Sequence, residues 1–221
     1  MRASVKTKDL FTCTTPYLKE LFDESLYPWD MLDKIGGYIE KLIKTGIAGY
    51  TEIKEGVLVG DGTKIHPSAV IIPPAVIGRG CEIRPSAYLR GNVILGEGCV
   101  VGNSTEIKNS ILLEGTQVPH YNYVGDSILG VRSHMGAGAV CSNLKSGGGE
   151  VTVRGETDHK TGRRKLGAVL GDGADIGCGC VMNPGTVVGR NTSVYPLTSL
   201  RGVYPENCIV KGERGVFERK A

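Results

Sequence analysis

The sequence predicts an all-β solenoid preceded by a small helical segment, and three observations predict it. First, an aliphatic residue recurs every six positions at Ile53, Val59, Ile65, Ile71, Ile77, Ile83, Leu89, Leu95, Val101 and Ile107, ten in phase without a miss. Period six matches neither a 3.6-residue helix nor two-residue strand alternation. It fits short flat strands joined by tight corners, each strand sending one aliphatic side chain into a narrow prism. Second, glycine supplies 33 of the 221 residues, about twice the roughly 7% average. Gly60, Gly96, Gly102, Gly125, Gly130, Gly171, Gly177 and Gly189 directly follow inward positions, where corner dihedrals favour it. Third, nine Tyr, three Phe and one Trp are too few for an aromatic core. Glycine is not at every third position, which excludes a collagen-like chain, and an ordinary sandwich would not keep phase through ten hexads.

The elements follow in order. Thr15-Pro16 marks a helix start before Tyr17 to Phe22. A longer helix is expected from Pro28 to Lys44, with a stripe of Leu32, Ile35, Ile39, Leu42 and Ile43 packing against the first coil and Gly46 as its stop. Residues 1–50 form this helical segment, and 51–210 form the β-helical domain. Within the domain the phase slips by one to Leu112, Val118 and Val124, and again to Leu129, Met135 and Cys141. It resumes at Leu170, Ile176, Met182, Val188, Val194 and Leu200. Between the runs, an inserted loop at 144–166 breaks the period, and excursions beyond about 15 residues are usually functional or disordered. The chain is expected to leave the prism after Tyr204-Pro205, and 211–221 reads as a charged tail.

Charge and cysteine usage narrow the functional classes. A net charge of +3 with no long basic block gives no sign of nucleic-acid binding. No apolar run approaches the roughly 20 residues of a membrane helix. Met1 to Leu10 has no apolar stretch behind its basic residues, so no secretory signal is read there, and a cytoplasmic location is expected. Seven cysteines, an odd number without framework spacing, are expected to be reduced thiols. Cys178 and Cys180 lack a second ligand pair at zinc-site spacing.

The hexapeptide pattern resembles the left-handed parallel β-helix of the acyltransferase superfamily, whose coils hold three hexads, about 18 residues. At that length the two runs supply roughly seven coils, and residues 18 apart stack on parallel strands about 4.8 Å apart. Arg90 and Lys108 are such a pair, each following an inward position. Two stacked cations are favoured by a bridging anion, which reads as a phosphate clamp; the alternative is two solvated charges. Allowing for the slip, His120 lies over Asn103, near the corner region of Lys108, and Tyr123 stacks above Glu106. A neutral imidazole there can take a proton from a substrate amine.

Gly102-Asn-Ser-Thr-Glu-Ile-Lys108, His120-x-x-Tyr-Val-Gly-Asp126 and Gly136-Ala-Gly-Ala-Val-Cys-Ser-Asn143 resemble a known family. It is the C-terminal domain of the bifunctional UDP-N-acetylglucosamine pyrophosphorylase/glucosamine-1-phosphate N-acetyltransferase. Gly162-Arg-Arg-Lys-Leu-Gly-Ala168 is similar to archaeal sugar-1-phosphate nucleotidylyltransferases that carry such a domain. The resemblance covers roughly 50 to 205. It implies acetyl-CoA as co-substrate, an amino-sugar phosphate as acceptor, no metal for the transfer, and a homotrimer with its pocket between subunits. It implies His120 as general base and Glu106 as its acidic neighbour. Arg90, Lys108 and Tyr123 fall on phosphosugar contacts, Ala137 and Asn143 on the acetyl-CoA segment, with Asn143 shared by both substrates. Cys178 stands where relatives place a serine beside acetyl-CoA, and Lys211 stands near the last coenzyme A contact.

The sequence also departs from that pattern. His134 replaces a sugar-binding Asn and Leu144 a Tyr. The glycine run after Leu144 stands where relatives carry lysines, for which Lys145, Arg154 or Arg163 to Lys165 are substitutes. Arg163, Arg164 and Lys165 also suit the phosphates of coenzyme A. Only about 50 residues precede the repeat, with no Gly-rich phosphate loop, so uridylyl transfer is not expected. The reading is an N-acetyltransferase acting on an amino-sugar phosphate such as glucosamine-1-phosphate, in a nucleotide-sugar pathway. The alternative is a catalytically silent sugar-phosphate-binding or regulatory module. A zinc hydratase on the same fold would need three clustered histidines, and His66, His120, His134 and His159 contain no close pair.

Overall fold

The computed structural model describes residues 3–219. Short strands of two to four residues stack into three long parallel sheets that form the sides of a left-handed prism. In each coil the chain passes from the first sheet (beginning at Val57–Gly60) to the second (Lys64–Ile65) and the third (Val70–Ile72). The register advances 18 residues per coil from Leu58 to Val76 to Ile94. It falls to 17 from Ile94 to Ile111 and from Ile111 to Ile128, which are the two slips of phase. It then jumps from Ile128 to Val169, absorbing the inserted loop without disturbing the stack.

The interior is a column of aliphatic side chains, with the hexad residues Ile77, Leu89, Val101, Ile107, Val118, Met135, Ile176 and Leu200 all buried. Ile53 is the exception: it is 52% exposed, on Tyr50–Lys54, which pairs antiparallel with Val57–Gly60. The first in-phase residue therefore belongs to a cap strand and not to a coil. Small polar residues share the interior by returning a hydrogen bond to a corner carbonyl. Thr116 Oγ1 donates to Gly130 O at 2.9 Å, Cys99 Sγ to Leu113 O at 3.1 Å and Cys180 Sγ to Tyr195 O at 3.1 Å. A thiol there fills space and satisfies a buried acceptor. The cysteines of the described residues are free thiols.

The corner glycines obey a different rule from the one expected. Gly102 does not have positive φ; a Cβ on it would stand 1.4 Å from the Pro119 carbonyl oxygen of the next coil. Close rung-to-rung approach requires glycine there. The left-handed dihedrals fall on neighbouring corner positions such as Ser86, Ser104, Tyr121 and Asp126.

The N-terminal segment folds as helices Thr7–Leu10 and Pro16–Asp23, a 3-10 turn Pro28–Met31 and helix Ile35–Thr45. The helix expected over Pro28 to Lys44 is thus interrupted: the Asp30 carboxylate accepts from Tyr27 N at 3.0 Å and closes a separate turn. The helices pack along the first sheet over many coils, not only the first. Its outward residues Leu58, Val76, Ile94, Ile111, Ile128, Val169 and Val187 join Leu18, Trp29, Ile35 and Ile39 in a second core. The inserted loop completes this cover with Val151, Val153 and Leu166, and its strands Thr152–Val153 and His159–Lys160 form a small hairpin.

The C-terminal end also differs from expectation. After Tyr204-Pro205 the chain makes one more rung, Cys208–Val210, and Val216–Glu218 returns antiparallel on it. The charged stretch through Arg219 is therefore a closing hairpin; residues 220–221 lie outside the described residues. No helix of the described residues is long and apolar enough to cross a membrane.

Candidate functional site

Arg90, Glu106, Lys108, Tyr123 and Asn143 meet on the outer face of the third sheet. Ile72 pairs with Arg90, and Leu89 with Ile107, so Arg90 and Lys108 stand on successive rungs of one outward column. Tyr88, Glu106 and Tyr123 form the parallel column two residues back. Each cation meets a carboxylate of its own chain: Arg90 Nη1 lies 2.6 Å from Glu106 Oε1, and Lys108 Nζ lies 3.4 Å from Asp126 Oδ2. The repulsion between the two cations is thereby offset without a bridging anion.

Asp126 is the hub of this face. It is nearly fully buried, and its Oδ1 accepts from Asn109 Nδ2 at 2.9 Å while Oδ2 accepts from Asn143 Nδ2 at 2.6 Å. Asn143 also donates to the Tyr123 hydroxyl at 3.2 Å. Burial, followed by the carboxylates of Glu106 and Asp126, raises the Tyr123 phenol above its ordinary pKa, so it stays a neutral hydroxyl at physiological pH. Gly125 leaves the space that this group needs, because a Cβ there would stand 2.5 Å from the Tyr123 hydroxyl. Asp126 and Asn109 were not singled out from sequence. The signal was present in Gly125-Asp126, a polar residue at a left-handed corner beside the Tyr123 hexad.

His120 ends the second-sheet strand Gln117–His120, at the corner that leads to the third sheet. It pairs with Asn103 as expected, yet four residues of chain separate it from Gly125, the register partner of Lys108. His120 and the cation pair occupy opposite edges of one face, with Glu106 and Tyr123 between them. The imidazole is exposed and takes no hydrogen bond among the described residues. Ala137 and Cys178 continue the same edge. Gly138 N donates to His120 O at 3.0 Å, Gly179 N to Ala137 O at 2.8 Å and Leu197 N to Cys178 O at 2.9 Å. His120, Ala137 and Cys178 therefore stand on consecutive rungs, about 4.8 Å apart, all exposed. Gly138 N–H is spent on His120, whereas Ala137 N–H meets no acceptor among the described residues.

Three candidates lie elsewhere. His134 is on the second sheet, its Nδ1 2.8 Å from Asp175 Oδ1, and does not share the face of Arg90. Lys211 Nζ sits over the rings of Tyr195 and Phe217, at 5.4 and 5.0 Å, in the closing hairpin. Arg163 is turned to Asp33 of the helical segment, Nη2 to Oδ1 at 2.8 Å, and is mostly buried, so it fastens the inserted loop to the helices. Arg154 bonds Asp158 within that loop, and Arg164 and Lys165 are exposed. The remaining histidines are dispersed: His66 bonds Ser68 Oγ at 2.8 Å, and His159 lies against Tyr27 and Trp29. No three His, Cys, Asp or Glu side chains cluster at metal-binding distance among the described residues.

Comparison with known proteins places these observations in context. Residues 56–91 match the bacterial transferase hexapeptide family, and residues 81–160 match the GMPPB C-terminal domain. The chain is 33% identical over 208 residues to the bifunctional protein GlmU of Methanococcus maripaludis, covering 92% of this chain and 50% of that protein. It is 36% identical over 88 residues to a bifunctional sugar-1-phosphate nucleotidylyltransferase/acetyltransferase of Sulfurisphaera tokodaii, covering 39% of this chain and 22% of that one. Among solved structures, the UDP-N-acetylglucosamine acyltransferase of Francisella novicida aligns with a TM-score of 0.52 at 12% identity, covering 74% of this chain and 66% of that one, a likeness of fold. The chain spans about half the length of the first of these curated relatives or less. It is a hexapeptide-repeat domain related to GlmU-like bifunctional proteins.

Proposed function

We propose that this protein is an acetyl-CoA-dependent N-acetyltransferase acting on an amino-sugar phosphate, with glucosamine-1-phosphate as the leading acceptor. One observation carries the reading: His120, Ala137 and Cys178 form a single exposed edge on the Tyr123 side of a face whose far side holds the Asn143–Asp126–Lys108 network. The edge suits an extended thioester arm, and the network supplies donors and cations suited to a phosphosugar. His120 takes the proton of the amine as its nitrogen attacks the thioester carbonyl carbon. The C–S bond then breaks, and the proton passes to the departing coenzyme A sulfur. The N–H of Ala137, left unspent on its rung, is the donor assigned to the oxyanion. No acyl-enzyme is formed, and Cys178 lines the edge as a spacer. The relatives named for nucleotidyl transfer and acetyl transfer support the substrate class.

The acting form in this reading is a homotrimer. Val70, Ile72, Tyr88 and Val181 leave apolar surface on the outer face of the third sheet, and Leu197 is 85% exposed on the edge beyond Cys178. His134, on a different sheet from Arg90, contributes to a shared pocket only across a subunit boundary. The test is release of free coenzyme A thiol from acetyl-CoA with a panel of amino-sugar phosphates. Turnover is expected with the wild type, and a fall of about 10²- to 10⁴-fold with His120→Ala. Unchanged turnover in the variant removes His120 from its role. Acceptor binding in calorimetry without any turnover in the wild type supports the silent module instead.

A further inference from the structure

A cationic cavity lies where the inserted loop leaves the third sheet, and the proposed reaction leaves it unused. Its volume is about 230 Å³, and Ser142, Lys145, Ser146, Asn183 and Arg201 supply its polar lining. Cys141 pairs with Met182 and Met182 with Leu200, so Ser142, Asn183 and Arg201 follow one another on successive rungs. This is the same outward column that carries Arg90 and Lys108 lower down, interrupted by Gly125. Asn183 is held in place by Nδ2 donating to Leu200 O at 2.8 Å and to Ser199 Oγ at 3.1 Å. Lys145 is tied back to the Glu150 carbonyl, which keeps its ammonium group beside the cavity. Glu150 itself turns its carboxylate away, accepting from Gly162 N at 2.8 Å.

The contrast with Arg90 and Lys108 is electrostatic. Each of those is neutralised by a carboxylate of its own chain. No Asp or Glu lines this cavity, and the Arg201 guanidinium has no ion-pair partner among the described residues. Two cations and two hydroxyls facing a cavity without acid suit a multiply charged oxyanion.

We propose that this cavity is a phosphate subsite, taking a phosphate or diphosphate group of one of the two substrates. From Lys108 to Ser142 is two rungs, about 10 Å, so a group seated here is not the one held at Arg90 and Lys108. Binding can be tested independently of the acetyltransferase reading, whereas the identity of the donor substrate rests on it.

The full chain is titrated with inorganic pyrophosphate while the amide NMR resonances of Ser142, Asn183 and Arg201 are followed. Saturable shifts at these amides are expected. A loss of affinity of about tenfold or more is expected in Arg201→Gln, the scale of one charge-assisted hydrogen bond, and a smaller loss in Lys145→Gln. Lys108→Gln should leave the shifts at Ser142 and Asn183 in place. Amides that stay still in the wild type, or shifts that persist with wild-type affinity in both Arg201→Gln and Lys145→Gln, overturn the proposal. In steady-state assays Arg201→Gln then raises KM for the acceptor or for acetyl-CoA, and whichever rises names the substrate that carries the phosphate. Unchanged KM for both in an active enzyme overturns the subsite while leaving the acetyltransferase reading intact.

Discussion

Thiol modification of the native chain separates Cys178 from the other six cysteines and tests the edge on which the proposed chemistry depends. Cys178 is the exposed one; Cys81, Cys99, Cys141, Cys180 and Cys208 are buried, and Cys13 is partly covered. Burial pushes the thiols of Cys141 and Cys13 up to about 12. At pH 8 such a thiol is ionised in about one molecule in ten thousand, against about one in ten for an ordinary thiol of pKa 9.0. Cys81 is shifted the other way by a hydrogen bond from Cys99, but it is only 2% exposed, so access and not ionisation limits it. An aromatic disulfide reagent should therefore release one fast equivalent from the folded protein and six more only in denaturant. The fast phase should disappear in Cys178→Ala. Saturating coenzyme A should slow it at least about tenfold, because the pantetheine arm would cover the sulfur. Two or more fast equivalents would refute the burial argument, and a fast phase indifferent to coenzyme A would refute the placement of the thioester along this edge.

The same shifts predict loss of stability at high pH. Above the ordinary thiol value of 9.0, Cys141 ionises in the unfolded chain and not in the folded one. Its contribution is fully present below pH 9 and falls by up to about 1.4 kcal/mol per pH unit above it. Cys13 adds a smaller, solvent-screened share, and the half-buried Tyr17 phenol adds its own above pH 10. Urea melts at pH 8, 9 and 10 measure this, and equal midpoints would contradict it. Two glycines should respond oppositely to alanine. Gly37, inside helix Ile35–Thr45 with nothing within 4 Å of a built Cβ, should gain about 0.5–1 kcal/mol. Gly102→Ala, driven into a backbone carbonyl, should lose more than about 4 kcal/mol or fail to fold. A Gly102→Ala melt within about 1 kcal/mol of wild type would show that the rungs separate more easily than the contact implies.

The prism was legible because its physics repeats. Each coil needs one aliphatic group per face, and both phase slips appear in the register as coils of 17 residues, from Ile94 to Ile111 and from Ile111 to Ile128. Stacking of Arg90 with Lys108 and of Glu106 with Tyr123 followed from the same count. The cover of the first sheet was equally present and was missed. Leu58, Val76, Ile94, Ile111, Ile128, Val169 and Val187 put an apolar residue on the outward side of every coil, which only a buried face tolerates. Reading inward positions alone hid this column, and with it the fate of the inserted loop. The carboxylates paired with the clamp were legible only in part. The pairing of Lys108 with Asp126 depends on the strand direction of a corner residue, and a repeat count does not specify which side chain turns inward at a corner.

The covered face also constrains how copies of the prism can associate. The helices and the inserted loop occupy the first sheet from Leu58 to Val187, so two faces remain. On the second, outward positions carry Lys64, Glu82, Gln117, His134 and Asp175; on the third, apolar and aromatic groups stand beside Arg90 and Glu106. Identical prisms that put the third face of one against the second-face edge of the next form a heterologous contact, which closes when the rotation per subunit is a third of a turn. In the proposed trimer that contact would set the His120 edge in a cleft and bring the His134–Asp175 pair of one subunit toward the Arg90–Glu106 face of another. The same closure would bury Tyr88 and Val181 and leave the helical cover outside. A trimer with His134 far from the cleft would therefore require the opposite pairing of faces, and cross-linking between cysteines placed at His134 and at Tyr88 distinguishes the two.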